Sequence, residues 1–408
     1  MGSNLPGKIV APTLQKHSLL SGAYLPFRIL QLSGYFPLSL HSSKNTLSIY
    51  KPAWHRCPST LWILIIIIIT FLLTFISALL GNNNVASQAL TVFANRGRST
   101  IILTSTVWGF CCVFCPFFCR VDLLTKRARF AKFCENYFQL VEKFQNLDST
   151  FEKNCEKHVG NNRAKLILHL ILHLITTFIH TGLYTQSRLR FQDSFSRTNV
   201  IDTTRNLLYA GNTALTGFSL HGLIYFVSSY EFGITELLKC LENHELKVHD
   251  VVKVYLSLDK NVTQFISMFS TFLNINVVYV FVYLLYDFYF VYIAIELGNF
   301  VLGFITAVQI LITIWYFYLL SNSASGLANV SKMFCKMVKY LYLKEEMGQG
   351  KFVKVTERFQ NPNSMPLLDS ICIENSAFRL DLRLLLSMLA TITTYLVVIV
   401  QFQSGDRS

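Results

Sequence analysis

The chain has 408 residues, of which 52% are hydrophobic and 14% are charged, and its formal net charge at pH 7 is +13. A soluble domain carries about a quarter charged residues, so this low proportion argues against an ordinary soluble protein. The positive charge does not indicate a nucleic-acid partner, because the Lys and Arg residues lie beside long apolar runs, where membrane topology explains them.

Apolar runs of about twenty residues, long enough to cross a bilayer as helices, alternate with basic segments along the chain. Residues 1–58 precede the first run and hold six Lys or Arg and no Asp or Glu. The part of this segment around 25–38 has two interpretations, a short amphipathic piece on the membrane surface or a flexible tail. We predict seven spans, at residues 61–80, 100–119, 164–184, 206–228, 262–292, 300–320 and 384–402.

The distribution of basic residues predicts the orientation of the chain. If the N-terminus lies inside the cell, the inner segments hold 28 Lys or Arg and the outer segments hold seven. Because basic loops tend to stay cytosolic, we expect the N-terminus inside and the C-terminus outside, the reverse of a G-protein-coupled receptor. None of the ten Cys falls in a predicted outer loop, so no extracellular disulfide is expected.

Several segments on the inner side are predicted to continue the spans as helices. Residues 120–147 and 321–344 both repeat apolar side chains at three- and four-residue steps, which is typical of amphipathic helices. The predicted fold class is therefore an all-α multi-span membrane protein with seven transmembrane helices and cytosolic helical extensions. We expect a cytosolic segment (1–58), a six-span region with cytosolic helical extensions (59–320), a cytosolic helix and loop (321–383) and a last span with a short outer tail (384–408).

The last span carries a family signature. Thr394 and Tyr395 are followed by five hydrophobic residues and then by Gln401 and Phe402, which resembles the signature of the insect gustatory receptors. The inverted seven-span topology fits that family, and residues 34–37 (Gly-Tyr-Phe-Pro) are similar to its early segment. The resemblance implies a ligand-gated, non-selective cation channel of four identical subunits, with the last span lining a central pore and a tastant pocket in the outer half of the second to sixth spans. It also implies that 59–320 is the ligand-binding region and that 321–383 belongs to the subunit-joining region.

The helical projection of the last span supports a pore-lining role without the resemblance. At 100° per residue, one arc of about 120° holds the predicted pore and gate residues Thr391, Thr394, Tyr395, Val398, Gln401 and Phe402. A fourfold ring of Gln401 amides would partly replace the hydration shell of a cation, and rings of Val398 or Phe402 would close the path by dewetting. The alternative is a helix-packing face stabilised by threonine hydroxyls.

Polar and aromatic side chains in the outer half of the spans are the ligand-binding candidates. The fifth span places Tyr279 and Tyr283 before Asp287, and rings with hydroxyl tips suit polar organic ligands. An ionisable residue at membrane depth indicates a functional site, although tyrosines also anchor helices at the membrane interface; both readings stay open. The full set of candidates is Trp108, His180, Tyr184, Tyr279, Tyr283, Asp287, Thr306 and Gln309.

Other clusters predict no chemistry. The histidines at 169, 173 and 180 share a helical face but have no Cys or acidic third ligand beside them, so we expect no metal and no cofactor. A C-x-x-C sequence at 112–115 lies in an apolar span, where Cys usually serves as a small packing residue. We find no phosphate-binding loop and no hydrolase motif, so an enzyme is not expected and there are no catalytic candidates.

These observations and the resemblance together predict a gustatory receptor in the plasma membrane that acts as a tastant-gated cation channel, and the resemblance favours bitter-type ligands. Its partners would be the small-molecule tastant, the permeating cations, membrane lipid, and three further copies or related receptors. The alternatives are a sugar-gated member of the same family, or a metabotropic receptor or regulatory subunit without its own pore. A transporter is disfavoured because no internal repeat is visible.

Overall fold

The computed structural model describes most of the helical part of the chain. The described residues are 8–10, 27–43, 46–50, 59–65, 67–68, 99–147, 151–190, 197–243, 247–296, 298–348, 368, 370–375 and 377–405. Most of the predicted first span, 61–80, lies outside them. The helix positions of Trp108, His180, Tyr184 and Phe402 are described, but their side chains are not.

In the part of the chain that the structure describes, seven long helices form the bundle. They are α1 (Ser99–Thr125), α2 (Arg127–Leu147), α3 (Phe151–Arg190), α4 (Arg197–Glu242), α5 (Val248–Glu296), α6 (Phe300–Gly348) and α7 (Leu382–Gly405). Helices α5 and α6 have 49 residues each. At 1.5 Å per residue each is about 74 Å long, more than twice the thickness of a hydrocarbon core of about 30 Å. The helical extensions predicted from the sequence are therefore present.

Membrane-spanning length and composition are met by α5, by residues Phe300–Lys344 of α6 and by residues Leu382–Gln401 of α7. The search covered only the described residues, and it also found a shorter apolar helix, Ile167–Ile179, inside α3. The fourth predicted span is more polar, and we expected it to face protein rather than lipid. Its Thr216, Ser219 and His221 are indeed buried.

Local chemistry explains where the long helices end. Between α5 and α6 the chain turns at Gly298, whose φ of 72° lies in the left-handed region that glycine adopts without strain. The Asn299 side chain then accepts a hydrogen bond from the main-chain nitrogen of Leu302 (3.3 Å), so it caps the first turn of α6.

A small antiparallel sheet near the N-terminus was not predicted from the sequence. It consists of β1 (Lys8–Val10), β2 (Ser39–Ser43) and β3 (Thr46–Tyr50), in the spatial order β1-β3-β2. Strands β2 and β3 pair as a hairpin in which Ser43 lies opposite Thr46.

Residues 27–38 correct the sequence interpretation, because they are neither a surface piece nor a flexible tail. Phe27, Tyr35, Phe36 and Leu38 are fully buried. The ring of Phe36 meets Phe130 of α2 at 4.9 Å, and that of Phe27 meets the ring of Phe226 of α4 at 5.2 Å. The segment carries large apolar side chains on both sides, so it gains more by insertion between helices than by lying on a surface.

One buried arginine ties this segment to α1. The Arg120 guanidinium donates a hydrogen bond from Nε to the main-chain oxygen of Ser33 (3.1 Å). It lies 4.8 Å from the centre of the Tyr35 ring and 5.7 Å from that of Trp62, distances at which a cation interacts favourably with an aromatic face. Trp62 in turn donates a hydrogen bond to the main-chain oxygen of Leu32 (2.7 Å).

Candidate pore helix and ligand-binding region

Helix α7 is held at its N-terminal end by a tight turn of the preceding chain. Residues 371–380 fold back on themselves, with a hydrogen bond from the main-chain nitrogen of Leu380 to the oxygen of Ile373 (2.8 Å) and a bridge between Glu374 and Arg379. We call these residues the α7 hairpin. The Asp381 side chain then accepts a hydrogen bond from the nitrogen of Leu384 (3.0 Å) and caps the helix.

The α7 hairpin contacts both α5 and α6. On α6, Ser331 accepts a hydrogen bond from the main-chain nitrogen of Ile371 (2.6 Å), and its hydroxyl also lies 2.7 Å from the hydroxyl of Tyr255 on α5. Also on α5, Asn274 accepts a hydrogen bond from the side chain of Asn375 (2.8 Å). The start of α7 is therefore fixed to the two longest helices through buried polar contacts.

Beyond this attachment, α7 packs against the bundle on one face only. Leu385, Met388 and Ile392 are buried, and further along Leu396 and Ile399 pack against the buried residues of α5 near its end. Only 17% of the apolar window of α7 is buried, compared with 50% of that of α5. A helix this apolar with this little coverage within its own chain has a surface suited to lipid, other copies of the chain or a pore.

The predicted pore residues lie on or beside the uncovered face of α7. Thr394, Val398 and Gln401 are exposed, and Thr391 is half-buried at the edge of that face. Tyr395 is also at the edge: its side chain is 52% exposed while its ring meets Phe281 of α5 edge-on at 6.3 Å. The Phe402 side chain lies outside the description.

The threonine hydroxyls of α7 bond to their own helix. Thr391, Thr393 and Thr394 each donate to the main-chain oxygen four residues earlier, at 2.8, 2.9 and 3.1 Å. These bonds do not join α7 to a neighbouring helix, as the packing alternative would require. An internally bonded hydroxyl still offers oxygen lone pairs outward, as a weakly polar pore wall needs.

The candidates on α5 form one polar stripe. Asn276, Tyr279, Tyr283 and Asp287 follow at steps of three and four residues, and all four are buried. The rings of Tyr279 and Tyr283 lie 5.8 Å apart. The Asn276 amide lies 3.8 Å from the sulfur of Cys119 on α1.

That contact gives the register between α1 and α5. The two helices run in opposite directions, so the same level is followed towards the C-terminus on α5 and towards the N-terminus on α1. Eleven residues from this contact, about 16 Å along each helix, Asp287 of α5 is level with position 108 of α1. Trp108 and Asp287, predicted separately as ligand candidates, therefore occupy the same depth. The Asp287 side chain is 1% exposed, so it lies inside the bundle rather than on its surface.

A second group of candidates lies between α3 and α6. Gln309 is fully buried, and its amide nitrogen is 3.5 Å from the hydroxyl of Thr177 on α3. Thr306 is fully buried one turn earlier and donates to the main-chain oxygen of Leu302 (2.9 Å). His180 and Tyr184 continue α3 beyond Thr177, although their side chains are not described.

A histidine cluster was only partly foreseen. His169 and His173 of α3 and His221 of α4 surround Tyr316 of α6, with ring centres 5.8, 5.4 and 4.3 Å from the tyrosine ring. Close approach of α3 to α4 depends on Gly217, because a Cβ there would collide with the His173 ring. The sequence indicated packing roles for the two histidines of α3, but the partner on α4 could not be read from helical spacing.

No group of three or more potential metal ligands occurs among the described residues.

Burial is the main cause of the pKa shifts of two side chains, Glu231 and His158, that lie outside the predicted spans. Burial raises the pKa of the Glu231 carboxyl on α4, and a Cβ at Gly326 of α6 would collide with that carboxylate. The pKa of His158 is lowered, first by burial and then by the Lys165 charge, against an opposing effect of Glu236.

A bundle of long, apolar helices with one sparsely covered helix at its C-terminal end defines a multi-span helical membrane protein. The chain belongs to the 7tm chemosensory receptor family, whose profile matches residues 24–350. The match ends before α7, so the signature at 394–402 lies outside it. The predicted recognition as a chemosensory receptor of the insect type is confirmed.

Solved structures share the fold. The insect olfactory receptor OR5 from Machilis hrabei is 14% identical, with a TM-score of 0.55 and coverage of 94% of this chain and 98% of that chain. The same receptor in complex with eugenol gives a TM-score of 0.56 at the same identity and coverage. At this identity the likeness concerns the fold alone, and it confirms the predicted multi-span helical architecture. No curated protein matches the sequence closely enough to count as a relative.

Proposed function

We propose that this chain is a tastant-gated, non-selective cation channel, a gustatory receptor of the plasma membrane, in which α7 lines a central pore between four copies. Residues 1–58 and 321–383 lie in the cytosol in this proposal, and the tail after α7 lies outside. The orientation rests on the distribution of basic residues, 28 on the proposed inner side against seven on the outer side.

The uncovered face of α7 is the observation that carries the proposal. It holds Thr394, Val398 and Gln401, which are exposed in the single chain. A ring of four Gln401 amides would supply oxygen ligands without fixed charge, which suits weak selectivity among cations, and Val398 or Phe402 would form the apolar constriction. The hydroxyls of Thr391 and Thr394 on this face donate to main-chain oxygens of α7 itself.

A small-molecule tastant would bind in the outer half of the bundle. The buried stripe of α5 and the Thr306 and Gln309 pair of α6 combine aromatic surface with few polar groups, which is the composition of small-molecule sites. The aromatic content favours bitter-type ligands, and a sugar is the alternative. The eugenol complex of the olfactory receptor with the same fold extends the ligands to test to small aromatic alcohols.

Voltage clamp of cells expressing this chain alone tests the pore assignment. A panel of bitter compounds, sugars and eugenol is applied, and the currents of the wild type are compared with those of Gln401→Ala and Phe402→Ala. We expect both substitutions to change amplitude, gating or ion selectivity. Val397→Ala is the matched control, because Val397 is 51% exposed on α7 but lies outside the predicted pore face.

Currents unaltered by both substitutions would contradict the pore assignment. Absence of any current from the chain alone, together with current in cells that also express a related receptor, would favour the regulatory-subunit alternative. A ligand response without current, carried by a second messenger, would favour the metabotropic alternative.

A further inference from the structure

Asp287 is an isolated carboxyl group inside the bundle. It is the sole acidic residue in the seven predicted spans, and their sole basic residue, Lys165, stands at the start of a different span. The Asp287 side chain is 1% exposed. The hydroxyl of Tyr283 interacts with it, but neither carboxylate oxygen has the geometry of a hydrogen bond to any described residue. An uncompensated buried carboxylate is unfavourable, so this position calls for a positively charged or proton-donating partner.

Aromatic rings surround this position along α5. Tyr283 precedes Asp287 by one turn and its ring lies 5.8 Å from that of Tyr279. On the adjoining side, Tyr286 stacks on Phe290 with ring centres 6.0 Å apart. Aromatic faces attract cations, and the attraction is largest for weakly hydrated organic ammonium groups.

We propose that Asp287 and the neighbouring tyrosines of α5 recognise the ammonium group of an organic cation. This assignment rests on the proposed function, which brings ligands to the outer half of the bundle, and it names the chemical class of one ligand. Ca²⁺ or Mg²⁺ suits the position less well, because each takes six or more oxygen ligands, whereas α5 supplies a single carboxyl group here among aromatic neighbours along the helix. A quaternary ammonium requires one counter-ion and aromatic contact, both of which α5 supplies.

The test compares two probes of the same shape that differ in charge, choline and its carbon analogue 3,3-dimethyl-1-butanol. Binding of each probe to the purified full-length chain in lipid nanodiscs is measured for the wild type and for Asp287→Asn. We expect choline to bind at least about tenfold more tightly than the neutral analogue to the wild type, and this ratio to fall to about one in Asp287→Asn. Glu296→Gln, which removes an exposed carboxylate from the same helix, is expected to keep the ratio.

Two outcomes overturn the proposal: equal binding of the two probes to the wild type, or an unchanged ratio in Asp287→Asn. If Asp287→Asn does not fold, a protection experiment on the wild type tests the proposal instead. Choline is then expected to slow the reaction of Asp287 with an apolar carbodiimide, while 3,3-dimethyl-1-butanol does not, and equal protection by the two probes contradicts the assignment.

Failure of this assignment is distinguishable from failure of the proposed function. Ligand-evoked currents that depend on Gln401, combined with no preference for choline over its neutral analogue, support the proposed channel and contradict the ammonium site. Charge-dependent choline binding in a chain that carries no current, either alone or with a related receptor, supports the ammonium site and contradicts the proposed channel.

Discussion

The segment 27–38 and helix α7 are both apolar, yet they differ in how much of their surface the rest of the chain covers. Phe27, Tyr35 and Phe36 are fully buried among α1, α2, α4 and α5, whereas α7 is covered along one face only. The apolar side chains of the first region are covered by helices of the same chain. The second presents apolar surface that one chain does not cover, and such surface indicates an environment or a partner outside the chain.

The comparison predicts that substitutions of buried residues lower stability, whereas substitutions on the exposed side of α7 leave it unchanged. The largest effect is expected for Arg120→Ala, because it removes the hydrogen bond to Ser33 and the contacts with Tyr35 and Trp62. A hydrogen bond to a charged group contributes about 1.5–3 kcal/mol, and a desolvated cation–π contact contributes about 2 kcal/mol. Loss of the purified, folded chain in size-exclusion chromatography is the expected result.

Arg129→Ala is the control for that experiment, since Arg129 is exposed on α2 and its removal is expected to leave the folded yield unchanged. Equal yields of the two variants would show that residues 27–38 do not depend on Arg120 for their place in the core.

A pair of substitutions within α7 sharpens the comparison further. Ile392 is 1% exposed and Val397 is 51% exposed. Truncation of a buried isoleucine to alanine costs about 2–5 kcal/mol, so Ile392→Ala is expected to lower the thermal unfolding midpoint in detergent. Val397→Ala is expected to leave it within error. A fall of similar size in the Val397 variant would mean that four assembled copies bury this face strongly.

The histidine cluster gives a smaller effect. Gly217→Ala places a methyl group against the buried ring of His173, whereas Gly211→Ala on the same helix meets nothing within 4 Å. Overpacking of this kind costs about 1–3 kcal/mol, so we expect a lower unfolding midpoint for Gly217→Ala and none of this loss for Gly211→Ala. If both variants unfold at the wild-type midpoint, α3 and α4 are not in close contact at this point.

The smallest effect concerns pH. Because burial raises the pKa of Glu231 in the folded chain, the folded state binds this proton more tightly than the unfolded state does. The stabilisation from protonated Glu231 is therefore fully present below the pKa that Glu231 has in the unfolded chain. It is lost as the pH rises through the pKa that Glu231 has in the folded chain. We expect Glu231→Gln to raise the unfolding midpoint at pH 8 and to have little effect near pH 4. Glu242→Gln, at an exposed position of α4, should show no such pH-dependent gain.

Local periodicity explains what the sequence could predict. The apolar repeat of 130–144 predicted the buried face of α2, and Phe130, Phe133, Tyr137 and Phe144 are buried as expected. The same reasoning places Thr394, Val398 and Gln401 on one side of α7, where they are exposed, and their role in a pore stays a prediction. Both features depend on residues three and four positions apart, which share a helical face whatever surrounds them.

Contacts between distant residues explain what the sequence could not predict. The burial of Arg120 depends on Tyr35 and Trp62, which reach it from two separate segments. Likewise, the isolation of Asp287 depends on which helix faces α5, and the place of His221 beside Tyr316 depends on the packing of α4 against α6. Spacing within one helix holds no information about any of these neighbours.

The α7 hairpin has a mechanical consequence. It fixes the start of α7 to Ser331, which also contacts Tyr255, while the exposed far end carries Gln401. The helix has 24 residues and is about 36 Å long, so it behaves as a rigid arm pivoting at its base. A tilt of about 5° would carry its far end sideways by about 3 Å, roughly the diameter of a water molecule. Small rotations of α5 and α6 at the base would therefore move Gln401 further than the first turn of α7, if the packing of Leu396 and Ile399 against α5 moves with them.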